Sequence, residues 1–418
     1  MSFQQALSGL NAASAALDTI GNNVANSGTV GYKQSTAQFA DVFAASLAGA
    51  GSSPIGLGAK ISTVAQQFTQ GNISGTSNPL DMAINGSGFF RMQNATGDVV
   101  YSRNGQFQLD KDGYIVNASG QQLTGNLADK NGNILTGQLV PLRLFDPALD
   151  SDAPPQATGG SVGATGVQAN LNLDSRESLP ITVPFDPTDA TTYNKSTSAT
   201  VYDTLGNNHS MSMYFVKTGA GAWSVYTELD GDATTLSAAT PLVFDSTGKL
   251  TTPANGIIPQ SFAVTSGATT PMTFDLNLTG STQYGSVFAT NSITQDGFAS
   301  GKLASFNIGT DGIILGKYTN GQSKNLGQVV LASFRNPQGL QPLGNNLWAA
   351  TSTAGAELDG TPGSSGQFGP VQSSSLEDSN VDLTKELVDM IVQQRVYQAN
   401  AQTIKTQDQV LQTLVNLR

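Results

Sequence analysis

The sequence predicts a mostly β fold with α-helical termini: two β-rich domains, one inserted in the other, plus a coiled-coil-like pair of N- and C-terminal helices. Three observations carry this. Apolar residues recur at helical spacing at both chain ends, they alternate at strand spacing between those ends, and 46 glycines and 17 prolines punctuate the middle with turns.

At the N-terminal end the apolar positions run Phe3, Leu7, Leu10, Leu17 and Val24, with Ile20 beside them and small Ser14 and Gly21 filling the 3/4 spacing. That is one stripe on an α-helix. Ser2 and Gln5 have the spacing of a capping box, and the helix should stop near Asn26-Ser27-Gly28, where turn formers cluster. At the other end Leu383, Leu387, Met390, Tyr397, Ala401, Ile404, Leu411 and Val415 keep the same heptad, with polar Gln394 and Asp408 as exceptions. Neither Gly nor Pro interrupts Val381 to Arg418, so a rod of roughly 50 Å is expected, with Ser379 and Asp382 as its start signal.

Between them two hairpins are expected: Val99–Arg103 turning at Asn104-Gly105 into Gln106–Leu109, then turning at Lys111-Asp112-Gly113 into Tyr114–Val116. A meander follows over Ala199–Tyr202, Ser210–Val216 and Trp223–Leu229, and Gly327 to Arg335 reads as a buried strand. Asp150 to Thr165 and Thr279 to Ser286 read as domain boundaries, and Ser352 to Ser375 as a polar linker. The organisation expected is a helix over 1–29, a connector over 30–75, an inner β domain over 76–154 and 284–358, an inserted outer β domain over 155–283, a linker over 359–378 and a helix over 379–418. No fixed-period repeat marks a solenoid or propeller.

Composition narrows the function classes. Charged residues are 12% of the chain, about half the usual share, while 38% is hydrophobic, which reads as folded and turn-rich. Net charge is −11, and 19 thinly spread Lys and Arg make no basic patch, so nucleic acid is not expected as a partner. No run reaches the ~20 apolar residues of a membrane span, and no membrane insertion is expected. The absence of cysteine excludes disulfides and thiolate chemistry. Before Lys33 the sole charged residue is Asp18, so the basic region of a cleaved secretory signal is missing.

Catalytic signals are equally thin. The single histidine, His209, sits at a predicted hairpin edge with no partner of fitting spacing, and an exposed structural role is expected. Asp110–Gly113 and Asp129–Asn133 glance at calcium loops, but their glycines fall at the fourth position and no Glu closes them, so β-turns are expected. Gly56-Leu57-Gly58 lacks the third glycine of a phosphate loop, and the triplets at Asn94, Asn117 and Asn277 are what this composition produces by chance. No catalytic residue, metal ligand or cofactor is expected.

The helices carry the functional signal. A helix of this length is marginal in water unless its apolar stripe is covered. Apart from Asp18 even the far face of the first helix is uncharged, and small Ala6, Gly9, Ala12, Ala13, Ala15 and Ala16 permit close approach on several sides. Such a helix expects neighbours all round, and those neighbours must come from other copies. The residues expected to assemble subunits are Phe3, Leu7, Leu10, Leu17, Ile20, Val24, Leu383, Leu387, Met390, Tyr397, Ile404, Leu411 and Val415.

The run from Asn22 to Lys33, followed by Phe39, resembles the N-terminal signature of bacterial flagellar rod and hook axial proteins, through Asn22, Asn23, Ala25, Asn26, Thr29, Gly31, Tyr32 and Lys33. Tyr32 stands where Phe is common. Ser379–Leu383, Glu386–Val388, Gln394–Asn400 and Thr406–Asp408 resemble the other end of that family, and Asp81–Phe90 with Tyr101–Phe107 its inner β domain. Length and the insert resemble a hook subunit more than the shorter distal rod subunit; a secreted β-rich adhesin or glycan-binding module is the reading from another class. The resemblance implies export through the flagellar type III apparatus without signal cleavage, an extracellular place in the hook, and polymerisation into a curved hollow tube. Inner helices would line that tube and outer β layers would let it act as a universal joint. It also implies partners: further copies of the chain, the distal rod protein, the hook cap protein, the hook-filament junction protein and the export apparatus. The connector from Gln34 to Thr69 is expected to order only between neighbouring subunits.

Overall fold

The computed structural model describes residues 2–42, 56, 58–129, 131–145, 153–160, 163 and 166–416. Two long helices, α1 over Ser2–Ala25 and α2 over Leu383–Asn416, bracket a body of strands and turns. The chain divides into two compact units, one from 1–148, 305–317 and 323–418, the other from 149–304 and 318–322.

α1 ends at the expected turn, where Asn26 N–H donates to Asn22 O and Thr29 N–H to Asn26 O. At its start Gln5 Nε2 donates to Gly56 O at 2.6 Å, so the side chain assigned to a capping box reaches another segment. α2 begins at Leu383 rather than at Ser379, and the start signal is corrected accordingly. Asp382 Oδ1 accepts the N–H groups of Thr384 (2.9 Å) and Lys385 (3.1 Å), which makes Asp382 the cap. The residues before it are held extended because Asn380 Nδ2 donates to Gln67 O and Thr69 Oγ1, both at 2.8 Å.

The connector is corrected in part. Ser35–Val42 and Gly58–Gln66 form an antiparallel ribbon within the chain itself, with a bulge between Gln38 and Phe39. A lone two-stranded ribbon is marginal in water, and this one is steadied by α1, whose Ser8 Oγ accepts Ala59 N–H at 3.3 Å. The connector's 43–55 and 57, including the middle of Gly56-Leu57-Gly58, lie outside the described residues, as do 150–152, 161–162 and 164–165 of the boundary expected at Asp150–Thr165.

The main sheet of the first unit runs, in spatial order, through Leu303–Ile308, Ile313–Tyr318, Ser323–Val329, Gln122–Leu127, Phe89–Gln93, Val99–Ser102, Leu347–Ala349 and Gln341–Gly344. Under it Phe89, Tyr101, Phe334 and Trp348 interlock edge-to-face, with Tyr101 and Phe334 centroids 4.8 Å apart. The stretch Gly327–Arg335 is buried as expected but changes partner at Val330: Ser323–Val329 pairs with Gln122–Leu127, Leu331–Ser333 with Phe89–Gln93.

Two expectations fail here. Val99–Ser102 does not turn at Asn104-Gly105 into a hairpin; it pairs with Phe89–Gln93 and Leu347–Ala349, while Phe107–Leu109 pairs with Ile115–Asn117. Gly105 serves a close approach instead, since a Cβ there would fall 1.6 Å from Met82 O. The polar linker is woven into the body: Leu358–Gly360, Val371–Ser373 and Ser375–Glu377 pair with Leu331–Ser333, Met82–Ile84 and Ile73–Gly75. Buried Val371 and Leu376 supply the apolar anchors that a free linker would lack.

The second unit holds two five-stranded sheets sharing one core. One is the meander Lys195–Tyr202, Asn208–Gly219, Ala222–Leu229, Thr240–Phe244, Leu250–Thr252, in which Met211, Met213 and Phe215 alternate inward. The other is built on Val167–Asp174, which pairs antiparallel with Ala289–Gln295 and parallel with Met272–Asn277 and Thr282–Tyr284. The boundary expected at Thr279–Ser286 is therefore a strand inside a sheet, because Val167–Asp174 needs partners on both edges. His209 is also corrected: its side chain is 11% exposed and lies between Asp203 and Asp230. The turns at Asp110 and Asp129 are β-turns closed by their own carboxylates, which accept backbone N–H groups two and four residues on.

Candidate assembly site

α1 and α2 pack side by side and antiparallel. Asn23 Nδ2 donates to Glu386 Oε2 at 3.2 Å, and further along a Cβ on Gly9 would sit 2.9 Å from the Asn400 amide, so advancing along α1 means retreating along α2. The residues α1 buries are small or polar: Ala6, Ala13, Ala16 and Asn23. Among the described residues of α2 the buried one is Glu386. Small side chains permit close helix approach, and at Gly9 the missing Cβ leaves room for the Asn400 amide.

The apolar stripes are only partly covered within the chain. Phe3 and Leu7 stay 46% and 42% exposed, and Leu10, Leu17, Ile20 and Val24 are half-buried. On α2, Leu383, Leu387, Tyr397, Leu411 and Val415 are exposed, while Met390 and Ile404 are half-buried. Exposed Val388, Ile391, Val392, Val396 and Val410 widen that surface beyond the expected heptad. An apolar area of this extent on a folded chain marks an interaction surface.

Where the helix pair meets the β body, the signature residues form a polar lock. Asn23, 1% exposed, uses both ends of its amide: Nδ2 donates to Ser35 O (2.8 Å) and Glu386, and Oδ1 accepts from Ser35 N–H (2.9 Å) and Tyr32 Oη (3.1 Å). Tyr32 Oη also donates to Asn22 Oδ1 at 2.8 Å, Asn26 Nδ2 to Asn22 O at 3.0 Å, and Thr29 Oγ1 to Asn26 Oδ1 at 3.3 Å. Gln34 Nε2 donates to Glu386 Oε1, completing the carboxylate's buried shell. Ala25 points to solvent and takes no part.

Below this lies an ion triad. Glu377 Oε1 accepts from Lys33 Nζ (2.6 Å) and Gly71 N–H (2.9 Å), and Oε2 from Arg103 Nη1 (3.1 Å). Lys33 Nζ also donates to Thr69 O at 2.8 Å, and Arg103 Nη2 to Gly86 O at 2.7 Å. Burial pulls the Lys33 ammonium below its ordinary value; Glu377 opposes this and Arg103 adds to it. Gly31 completes the lock with a φ of 70°, donating its N–H to Glu377 O at 2.7 Å. Glu377, Gln34 and Glu386 were missed as site residues, since nothing local marks partners so distant in sequence. For Glu377 and Glu386 the one signal is that isolated charges in a chain so poor in charge need a reason; uncharged Gln34 has none. Among the described residues no group of three or more His, Cys, Asp or Glu side chains is placed to hold a metal.

Four family models match: the flagella basal body rod protein over residues 3–33, the flagellar hook protein FlgE/F/G D1 domain over 83–191, the flagellar basal body protein FlaE D2 domain over 172–298 and the flagellar basal body rod FlgEFG protein C-terminal over 372–417. Paired helical ends on a β body with these matches define an axial structural protein of the flagellar hook and rod. Curated relatives narrow this. The flagellar hook protein FlgE of Escherichia coli (strain K12) is 44% identical over 422 residues, covering 100% of both chains; that of Salmonella typhimurium is 44% identical over 425 residues, and that of Brucella suis 32% identical over 415, covering 99% of this chain and 97% of the relative. The chain belongs to the flagellar hook protein family, FlgE, of extracellular flagellar structural proteins. The fold is also similar to the crystal structure of Helicobacter pylori flagellar hook protein FlgE2, with a TM-score of 0.50 and 14% identity over 73% of this chain and 100% of that one.

Proposed function

We propose that this chain is the subunit of a flagellar hook, polymerising through its paired terminal helices into a curved hollow tube that carries torque while bending. The observation that carries the reading is the division of labour on the helices. Small and polar residues close α1 on α2, while apolar residues of both stripes remain outward, available to the helices of neighbouring copies. The assembling residues are those of the two stripes, with the Asn22–Lys33 segment locking the pair to the body. A charge-poor surface suits contacts that shift during bending, because no buried ion pair need break at each step. At its ends such a tube would meet the distal rod and hook-filament junction proteins, would grow beneath the hook cap protein, and would receive subunits from the export apparatus.

Electron microscopy of the purified full-length chain tests this. Curved tubes are expected; straight tubes would mean a rod subunit, and persistent monomers would sink the assembly reading. A core spanning about residues 29–380 should stay folded and monomeric, and tubes from that core would acquit the helices.

A further inference from the structure

His209 is the one histidine of the chain, and nothing in the assembly reading uses it. It is the second residue of the strand Asn208–Gly219 and stands between two turns of the second unit. Nδ1 lies 2.6 Å from Asp230 Oδ2, in the turn after Ala222–Leu229, and Nε2 lies 3.3 Å from Asp203 Oδ2, in the turn before its own strand. A neutral imidazole has one N–H and one lone pair, so in either tautomer one carboxylate would face a lone pair. Both distances are satisfied by the imidazolium, which donates twice.

The surroundings hold the carboxylates ready. Asp203, with no exposed side-chain surface, accepts from Ser266 Oγ (2.6 Å), Asn207 Nδ2 (2.9 Å) and the N–H groups of Leu205 and Asn207 (both 2.9 Å). Burial alone would raise its pKa, yet these bonds outweigh it and hold the carboxyl well below the usual range, so Asp203 stays ionised. Asp230 sits in the left-handed region at φ 56° and accepts Ser210 N–H on its other oxygen at 2.7 Å. The third segment against the site, 263–271, contributes Ser266 and carries no ionisable side chain. Asp203 and Asp230 are thus the charged groups that face the ring.

We infer that His209, Asp203 and Asp230 form a proton-operated latch within the second unit, which clamps the turn at 203–207 to the turn at 230–232 while the ring is protonated and loosens when it is not. The latch lies inside one unit and does not depend on the assembly reading. Burial would lower the pKa of His209, but hydrogen bonds and charge from Asp230 and Asp203 more than offset this and raise it. A raised histidine contributes stability that is fully present below its unfolded value near 6.5 and is lost as pH rises through the folded value. The second unit should therefore loosen as pH climbs past the ordinary histidine value.

The test uses the full chain carrying Trp348→Phe, which leaves Trp223, buried in the core of the second unit, as the fluorescent reporter. Urea unfolding is followed from about pH 6 to about pH 9, a window set by the histidine reference value. The parent's unfolding constant should rise across that window, and adding His209→Gln should flatten the dependence. Asp230→Asn, which keeps the histidine but removes one charge, should move the transition to lower pH. An unchanged slope in His209→Gln, a flat parent, or an unmoved transition in Asp230→Asn would each overturn the latch.

Discussion

Lys33 Nζ lies 2.6 Å from Glu377 Oε1 across 344 residues of sequence, with both side chains wholly withdrawn from solvent. With Arg103 on the other oxygen, two cations share one buried anion. The imbalance ranks substitutions. Glu377→Ala leaves two buried cations unneutralised and should cost about 3–5 kcal/mol. Lys33→Met leaves a balanced Arg103–Glu377 pair and should cost clearly less. Chemical denaturation read from Trp348 in a Trp223→Phe background gives both values, and equal losses would mean that charge balance does not govern the junction.

Gly31 turns the chain from the helix exit towards Lys33. Its φ is 70°, and an added Cβ would lie 2.6 Å from Asn104 N and 2.7 Å from Arg103 C, both backbone atoms unable to swing aside. Gly31→Ala should destabilise the first unit by about 1–3 kcal/mol or more. Gly28, three residues earlier, has ordinary φ and open space at its Cβ position. Gly28→Ala should leave the melting temperature nearly unchanged, and matching losses at the two positions would refute the steric argument.

How far the sequence could be read depends on the range of the interaction. Helical spacing and strand alternation are local, so α1, α2 and the meander around Met211 and Phe215 were visible beforehand. The Lys33–Glu377 pair was not, because no local pattern couples residues so far apart. Asn104-Gly105 has hairpin chemistry, yet its glycine answers to the Met82 carbonyl. His209 looked solitary because its partners lie six and twenty-one residues away on different turns. The stripe on α2 announced an apolar face, but sequence alone could not tell that α1 would leave that face open.

Asp359 offers a pH handle on the first unit. Partial withdrawal of its carboxyl from water and then the neighbouring Glu357 carboxylate push it up to about 6, with Arg91 pulling the other way, although the residue as a whole is exposed. A carboxyl raised above its unfolded value favours folding while protonated and opposes it once ionised, so the penalty grows as pH rises from about 4 through about 6. Asp359→Asn should raise the melting temperature at neutral pH and change it little near pH 4 (about the unfolded carboxyl value). Solvent screening at this exposed position keeps the gain modest. A gain of equal size at both pH values would show that ionisation is not its source.

The two sides of the helix pair should respond oppositely to substitution. Ala13 is 3% exposed, on the buried face that α1 shares with Ala6 and Ala16. Ala13→Leu should overpack the pair and destabilise the isolated chain by about 1–3 kcal/mol. Leu411 is 51% exposed on α2, so Leu411→Glu disturbs little packing within the chain and should leave monomer stability within about 0.5 kcal/mol of the parent. In assembly the order reverses: a carboxylate buried between apolar helices of neighbouring copies carries a desolvation penalty of several kcal/mol, so tubes should fail to form from Leu411→Glu even though the chain is folded. Sedimentation and electron microscopy read the polymer, and thermal unfolding at low concentration reads the monomer. Normal tubes from Leu411→Glu would show that this face of α2 is not the one neighbouring copies cover.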